Sequence, residues 1–323
     1  MIDCVYANAR AIALENTLLG VDRLNRMIDC TCKEDALKIL SEVNFGDGMQ
    51  ASDFESLILV EEKKLIDFLF EVAPSENLKK YLIIGNDYHN AEVFLRCKYL
   101  KIDPTPMLTA EGLLDLDKLK EDIFSDDYKS LNKNLSKALL DADALFALDK
   151  PDGRTISAIF KKALYNELYE ISIKEKVLKE LFSIKADAVN ISIALRIRDY
   201  SDAVNFFVNG GNLTKDDLKY FCEESAETLK EKFKFSKIKE LVESALDDSS
   251  KNQPLVEFEK LSDGYALKYL KENKYAIDGY LPFMRYCFYK RAEISNVRII
   301  ISCIDNGIDK SQIKLRVRET YEG

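Results

Sequence analysis

Apolar residues along this chain recur at three- and four-residue spacing rather than in strict alternation, which is the period of amphipathic helices. Leu57, Val60, Lys64, Leu65 and Phe68 make one such stripe, with Lys64 expected to snorkel. The segment Ser52-Asp53-Phe54-Glu55 just before it has the form of a capping box, in which a hydroxyl and a carboxylate satisfy the first orphan amides. Similar starts stand at Thr214, with Asp217 three residues on, and at Asp309, with Gln312 three on. Breaks fall at Gly46-Asp47-Gly48, Pro74, Pro104 to Pro106, Pro151-Asp152-Gly153, Gly210-Gly211, Pro254 and Gly307, which leaves helices of about 10 to 22 residues between them. The strongest strand candidate, YLIIG at Tyr81 to Gly85, runs directly into a helical pattern and reads as a helix end or start. The pattern predicts an all-α fold.

The same pattern repeats on a longer scale. DYHNAEVFLR from Asp87, DAVNISIALR from Asp187 and EISNVRIIIS from Glu293 each set an acid three residues before an asparagine and continue with an apolar stretch. Asn90, Asn190 and Asn296 lie 100 and 106 residues apart. Downstream comes a second shared element, a bulky aliphatic with a capping residue and another aliphatic five positions on: Leu108-Thr109 with Leu113, Leu213-Thr214 with Leu218, and Ile308-Asp309 with Ile313. Two elements in the same order three times predict three related helical units, divided at 1–105, 106–210 and 211–323. Their period exceeds the roughly 34 to 47 residues of repeats that stack in a line, and three larger units can instead close around an axis. Equivalent loops would then share one end, which makes the three aliphatic-cap pairs a candidate interface rim. An acid and an amide at i and i+3 share a helix face, and a buried amide can satisfy the unpaired ends of a neighbouring helix. Asp87, Asn90, Asp187, Asn190, Glu293 and Asn296 are therefore read as structural, with ligand contact as the alternative. The third copy lacks the arginine found at Arg96 and Arg196.

Composition narrows the class. Hydrophobic residues make up 47% and charged residues 32% of 323, enough for a large core. The longest apolar runs, such as VRIIISCI around Arg298, fall far short of the roughly 18 residues that a membrane helix requires. The opening MIDCVYANAR has no basic start followed by an apolar core, so a soluble, cytoplasmic protein is the default expectation. A formal net charge of -9 opposes nucleic-acid binding, because the overall field repels phosphate. Lys310, Lys314, Arg316 and Arg318 form a local basic run that reads as a patch or, more simply, as a solvated helix face. The seven cysteines lie mostly within apolar helical patterns and read as reduced core residues.

Catalytic constellations are absent from the pattern. The single histidine, His89, sits in the repeated segment where the other copies have Val189 and Ser295, so the repeat does not demand an imidazole. Cys30-Thr31-Cys32 has no second cysteine pair or histidine nearby to complete a zinc site and marks a loop before a helix near Lys33. No Gly-x-x-x-x-Gly-Lys loop occurs for a nucleotide phosphate. The acid pairs Asp126-Asp127, Asp216-Asp217 and Asp247-Asp248 have no further acid at the spacing that would gather a metal. No cofactor is expected.

The opening YANARAIALENTLL, its sequel EDALKILSEVNFGD, the threefold acid and asparagine element and GNLTKDDL together resemble the C subunit of the V/A-type ATPases, the family of the eukaryotic d subunit. The likeness spans Tyr6 to about Arg318 and is most specific at Tyr6 to Arg10 and in the three asparagine helices. It implies a funnel of three similar helical domains around a pseudo-threefold axis. It also implies a non-catalytic socket at the cytoplasmic face of the membrane, peripheral rather than inserted, between a shaft of D and F subunits and a proteolipid ring that carries protons or sodium ions. The residues alone leave two other classes open: a cytoplasmic helical adaptor that takes partner helices in a groove, and an all-α enzyme without a recognised motif.

Overall fold

The computed structural model describes residues 3–48, 54–147, 152–250, 255–273 and 279–321, and among these the chain forms sixteen α-helices and no strand. In chain order they are α1 (Cys4–Glu15), α2 (Gly20–Ile28), α3 (Lys33–Ser41), α4 (Phe54–Val72), α5 (Glu76–Leu100), α6 (Leu116–Phe124), α7 (Lys133–Phe146) and α8 (Gly153–Ser172), then α9 (Lys176–Ile197), α10 (Tyr200–Ala203), α11 (Lys215–Glu223), α12 (Ala226–Lys232), α13 (Lys239–Ser250), α14 (Val256–Glu272), α15 (Leu281–Asp305) and α16 (Lys310–Arg316).

Short polar residues start many of them. Asp3, Asp115, Asn132, Asp152, Asp199 and Ser225 each accept a bond from an amide of the first turn. Thr214 and Asp217 form the expected reciprocal capping box at α11. Asp309 precedes α16 as expected, yet its side chain makes no capping bond. Ser52, Pro151 and Pro254 lie outside the described residues. Two expectations change. Tyr81 to Gly85 lies inside α5 and not at an end. It resembled a strand because Leu82, Ile83 and Ile84 are all buried, and a helix covered on most sides loses its polar face. The long helices α5 and α15 run to 25 residues each, beyond the expected range. The Lys64 side chain is 40% exposed, and its ammonium pairs with Glu61 and Asp47.

The chain divides into two compact units, one made of 1–76 with 251–323 and the other of 77–250. In the first, α15 is the central element and packs against α1, α2, α4 and α14. Its core joins Leu24, Met27 and Leu40 from the start of the chain to Val297, Ile300 and Ile301 from α15. In the second, α8 packs between α7 and α9, and α9 packs also on α11 and α13. Tyr88, Phe94, Phe160 and Phe182 fill that core. α5, α9 and α15 carry the three repeated acid and asparagine pairs, so each pair is fixed on a long, well-buried helix.

Candidate functional site

Each repeated asparagine grips the chain that returns after its helix, Asn190 and Asn296 at a single residue and Asn90 at two. Asn190 accepts the Val208 N–H at 2.8 Å through Oδ1 and donates to the Val208 carbonyl at 3.0 Å through Nδ2. Asn296 treats Arg318 in the same way, at 2.9 and 3.2 Å. Asn90 accepts from the Thr109 N–H at 2.9 Å and hydroxyl at 3.1 Å, with longer bonds from Nδ2 to the carbonyls of Thr109 and Ala110. A carboxamide carries a donor and an acceptor in the geometry of a peptide group, so it can satisfy both main-chain groups of one residue. All three asparagines are buried.

The acid one turn earlier grips amides at the approach to the next short helix. Asp87 accepts from Leu113 at 3.0 Å and Leu114 at 3.1 Å, just before α6. Asp187 accepts from Asn212 at 3.0 Å and Leu213 at 2.9 Å, just before α11. In the third copy the chain is nearly finished, and Glu293 takes its amide from Leu19, which precedes α2. Burial raises the Asp87 carboxyl to about 6 against the opposing amides of Leu114 and Leu113. Asp187 is also raised by burial, against the amides of Leu213 and Asn212.

Two glycines make this approach possible; Gly211 stands at a break in the helical pattern, whereas nothing in the pattern marked Gly112. A Cβ on Gly112 would stand 2.1 Å from Asp87 Oδ1, and one on Gly211 would stand 2.2 Å from Asp187 Oδ1. The signal available was a glycine directly before the gripped amides in both copies.

The first unit adds a buried charge cluster that helical periodicity did not reveal. Lys290 lies 2.6 Å from Glu61 and 2.7 Å from Glu293, and all three side chains are under a tenth exposed. Glu61 also accepts from the Gly46 N–H at 2.8 Å and from Lys64 at 2.6 Å. Gly46 holds a left-handed φ of 68° there, a conformation that suits a residue without a Cβ. Burial works against the Lys290 ammonium, but Glu293 and Glu61 outweigh it and raise its pKa. Burial likewise opposes the Glu61 carboxylate, and Lys290, with Lys64 and the Gly46 amide, more than compensates, holding it below its ordinary value. Glu293 is raised by burial against the pull of Lys290.

The aliphatic-cap pairs do not occupy equivalent stations. Thr109 is itself the residue gripped by Asn90 and caps no helix, because Asp115 is the cap of α6. Thr214 lies beyond the residue gripped by Asn190 and caps α11, whereas Asp309 lies before the residue gripped by Asn296. Leu108, Leu213 and Ile308 are half-buried. The three pairs therefore make different contacts with the chain. Arg96 donates to the Gly153 carbonyl at 2.8 Å and to Ser157 at 2.7 Å, which ties α5 to α8.

Nothing in this arrangement resembles a nucleophile and its base. His89 is exposed, with Nε2 at 2.9 Å from the Met107 carbonyl oxygen. Among the described residues no group of three or more His, Cys, Asp or Glu side chains is placed to hold a metal ion. Of the cysteines, Cys97, Cys222, Cys287 and Cys303 are buried while Cys4, Cys30 and Cys32 are half-buried, and all are free thiols. No described helix is long and apolar enough to cross a membrane.

Comparison with known proteins finds similarity over nearly the whole chain. It is similar to the C subunit of the V-type sodium ATPase of Enterococcus hirae, 21% identical over 319 residues that cover 95% of this chain and 96% of that one. It is also similar to the C subunit of the A-type ATP synthase of Haloferax volcanii, 26% identical over 160 residues that cover 47% and 46% of the two chains. Residues 7–316 match the ATP synthase (C/AC39) subunit family, and the chain belongs to that family.

Proposed function

We propose that this chain is the non-catalytic central-stalk subunit of a V/A-type rotary ATPase, the socket that joins a shaft of D and F subunits to the membrane proteolipid ring. The observation that carries the reading is the family match from residue 7 to residue 316, which includes all three acid and asparagine helices. Their chemistry supports it, since the conspicuous polar groups are spent on the chain's own backbone and not aimed at a substrate. A body that passes torque needs stiffness. Close-packed helices whose returning segments are held by buried carboxamides and carboxylates resist local opening better than free loops would.

The division into three related units, at 1–105, 106–210 and 211–323, belongs to the same proposal. It is supported by a shared order of parts: after α5, α9 and α15 come a short helical turn and an asparagine-gripped residue, and after α5 and α9 acid-gripped amides follow before the next short helix, whereas Glu293 takes its amide from Leu19 before α2. The chain would sit at the cytoplasmic face of the membrane, peripheral to it.

Reconstitution with and without this chain tests the reading. Without it the soluble catalytic part should still hydrolyse ATP and hold its shaft, while attachment to the ring and ATP-driven ion transport in vesicles are lost; adding it back should restore both together. Normal ion pumping in its absence would rule out the socket and leave an adaptor as the better account.

A further inference from the structure

The basic run at the end of the chain is not one solvated face. Lys310 turns back to the Asp29 main chain, and the Lys314 carbonyl accepts from Lys260 at 3.4 Å. Arg316 and Arg318 instead line a cleft of about 510 Å³ with Lys260 and Arg298, over a floor that includes Ile299, Ser302 and Cys303. Four cationic side chains thus converge on one cleft in a chain whose net charge is -9.

Two of these cations are already matched. Arg298 binds Glu55 and Glu62, and Arg318 binds Asp263 at 2.7 Å. Among the described residues Lys260 and Arg316 meet no carboxylate: Lys260 has only the Lys314 carbonyl, and the Arg316 guanidinium contacts the Cys303 sulfur at 3.6 Å. A guanidinium offers a planar fork of donors suited to a carboxylate. Glu259 also stands at the wall of the cleft, and its charge disfavours a polyanion such as a nucleotide triphosphate. The cleft therefore suits one or two single negative charges.

We propose that this cleft between α14, α15 and α16 seats the carboxylates of an acidic protein segment, received by Arg316 and Lys260. This rests on the reading of the chain as part of a larger assembly and names the chemistry of one partner contact. Binding falls with salt, because the paired charges are solvent-accessible.

The full chain is titrated with an acetylated Asp/Glu hexapeptide at low and moderate salt, and separately with inorganic phosphate. The expected result is salt-dependent peptide binding that weakens at least tenfold in R316E/K260E and in Ser302→Asp, which places a resident carboxylate on the floor. Phosphate should compete poorly. Equal peptide affinity in both variants overturns the proposal, and so does phosphate that binds more tightly than the peptide and displaces it. Assembly of the wild-type chain with shaft and ring is scored in parallel. Failure there overturns the socket reading, while the peptide titration still decides the cleft.

Discussion

The side-chain amide of Asn190 is bonded to both main-chain polar groups of Val208, at 2.8 Å to the N–H and 3.0 Å to the carbonyl oxygen. Val208 is buried, so truncation of Asn190 leaves two groups without partner or water. At about 1 to 3 kcal/mol for each orphaned buried group, Asn190→Ala should cost roughly 2 to 6 kcal/mol. Asn90→Ala should cost less, because Thr109 is only half-buried and water can replace the lost bonds. Urea unfolding of both variants checks the order, and equal losses would contradict it.

Glycine substitutions should separate by position. A Cβ on Gly112 meets Asp87 Oδ1 and stands 3.1 Å from the Asp87 backbone nitrogen, so the gripped turn must shift. Gly112→Ala should cost about 1 to 3 kcal/mol. Gly85 lies in α5 with nothing within 4 Å of an added Cβ, and Gly85→Ala should stabilise by about 0.5 to 1 kcal/mol through helix propensity. Opposite shifts in thermal midpoint are the expected result.

Removal of the Lys290 ammonium should be among the most damaging single changes in the chain. Lys290→Met leaves Glu61 and Glu293 buried without their shared counter-charge, at a cost of about 3 to 5 kcal/mol. Neutralising both acids as well, in E61Q/K290M/E293Q, should recover much of that loss. A triple variant no more stable than the single one, measured by denaturant unfolding, would show that lost packing and not unpaired charge causes the damage.

Asp87 should leave a signature in the pH dependence of stability. Its folded-state carboxyl titrates at about 6, above the ordinary carboxylate value of 3.8, so between these values the folded chain binds more protons than the unfolded one. Stability from this group is present in full below about pH 4 and is lost as pH rises through 6, by an amount on the order of 2 to 3 kcal/mol. Asp87→Asn keeps an oxygen for the Leu113 and Leu114 amides and has no proton to exchange. The difference in unfolding free energy between variant and wild type should therefore move in favour of Asn from about pH 4 to about pH 6.5; a flat difference would place the titration elsewhere.

The sequence by itself determined the helical class, the main breaks between helices, the Thr214 capping box and the three helices that carry the acid and asparagine pairs. These features depend on residues within a few positions of one another, where periodicity and caps act directly on the backbone. The sequence also set Asn90, Asn190 and Asn296 within apolar helix faces, where a buried carboxamide needs hydrogen-bond partners. Only the tertiary structure decided which partners those are. Glu293 meets Leu19 and Arg285 meets Glu15, each across some 270 residues of chain. The Lys290 cluster joins α4 to α15, and the Arg316 cleft assembles α14, α15 and α16. The second repeated motif was less telling for the same reason: an aliphatic followed by a short polar residue is a common local pattern, and only the packing of the helices decides which such residue caps a helix, as Thr214 does, and which is itself gripped, as Thr109 is.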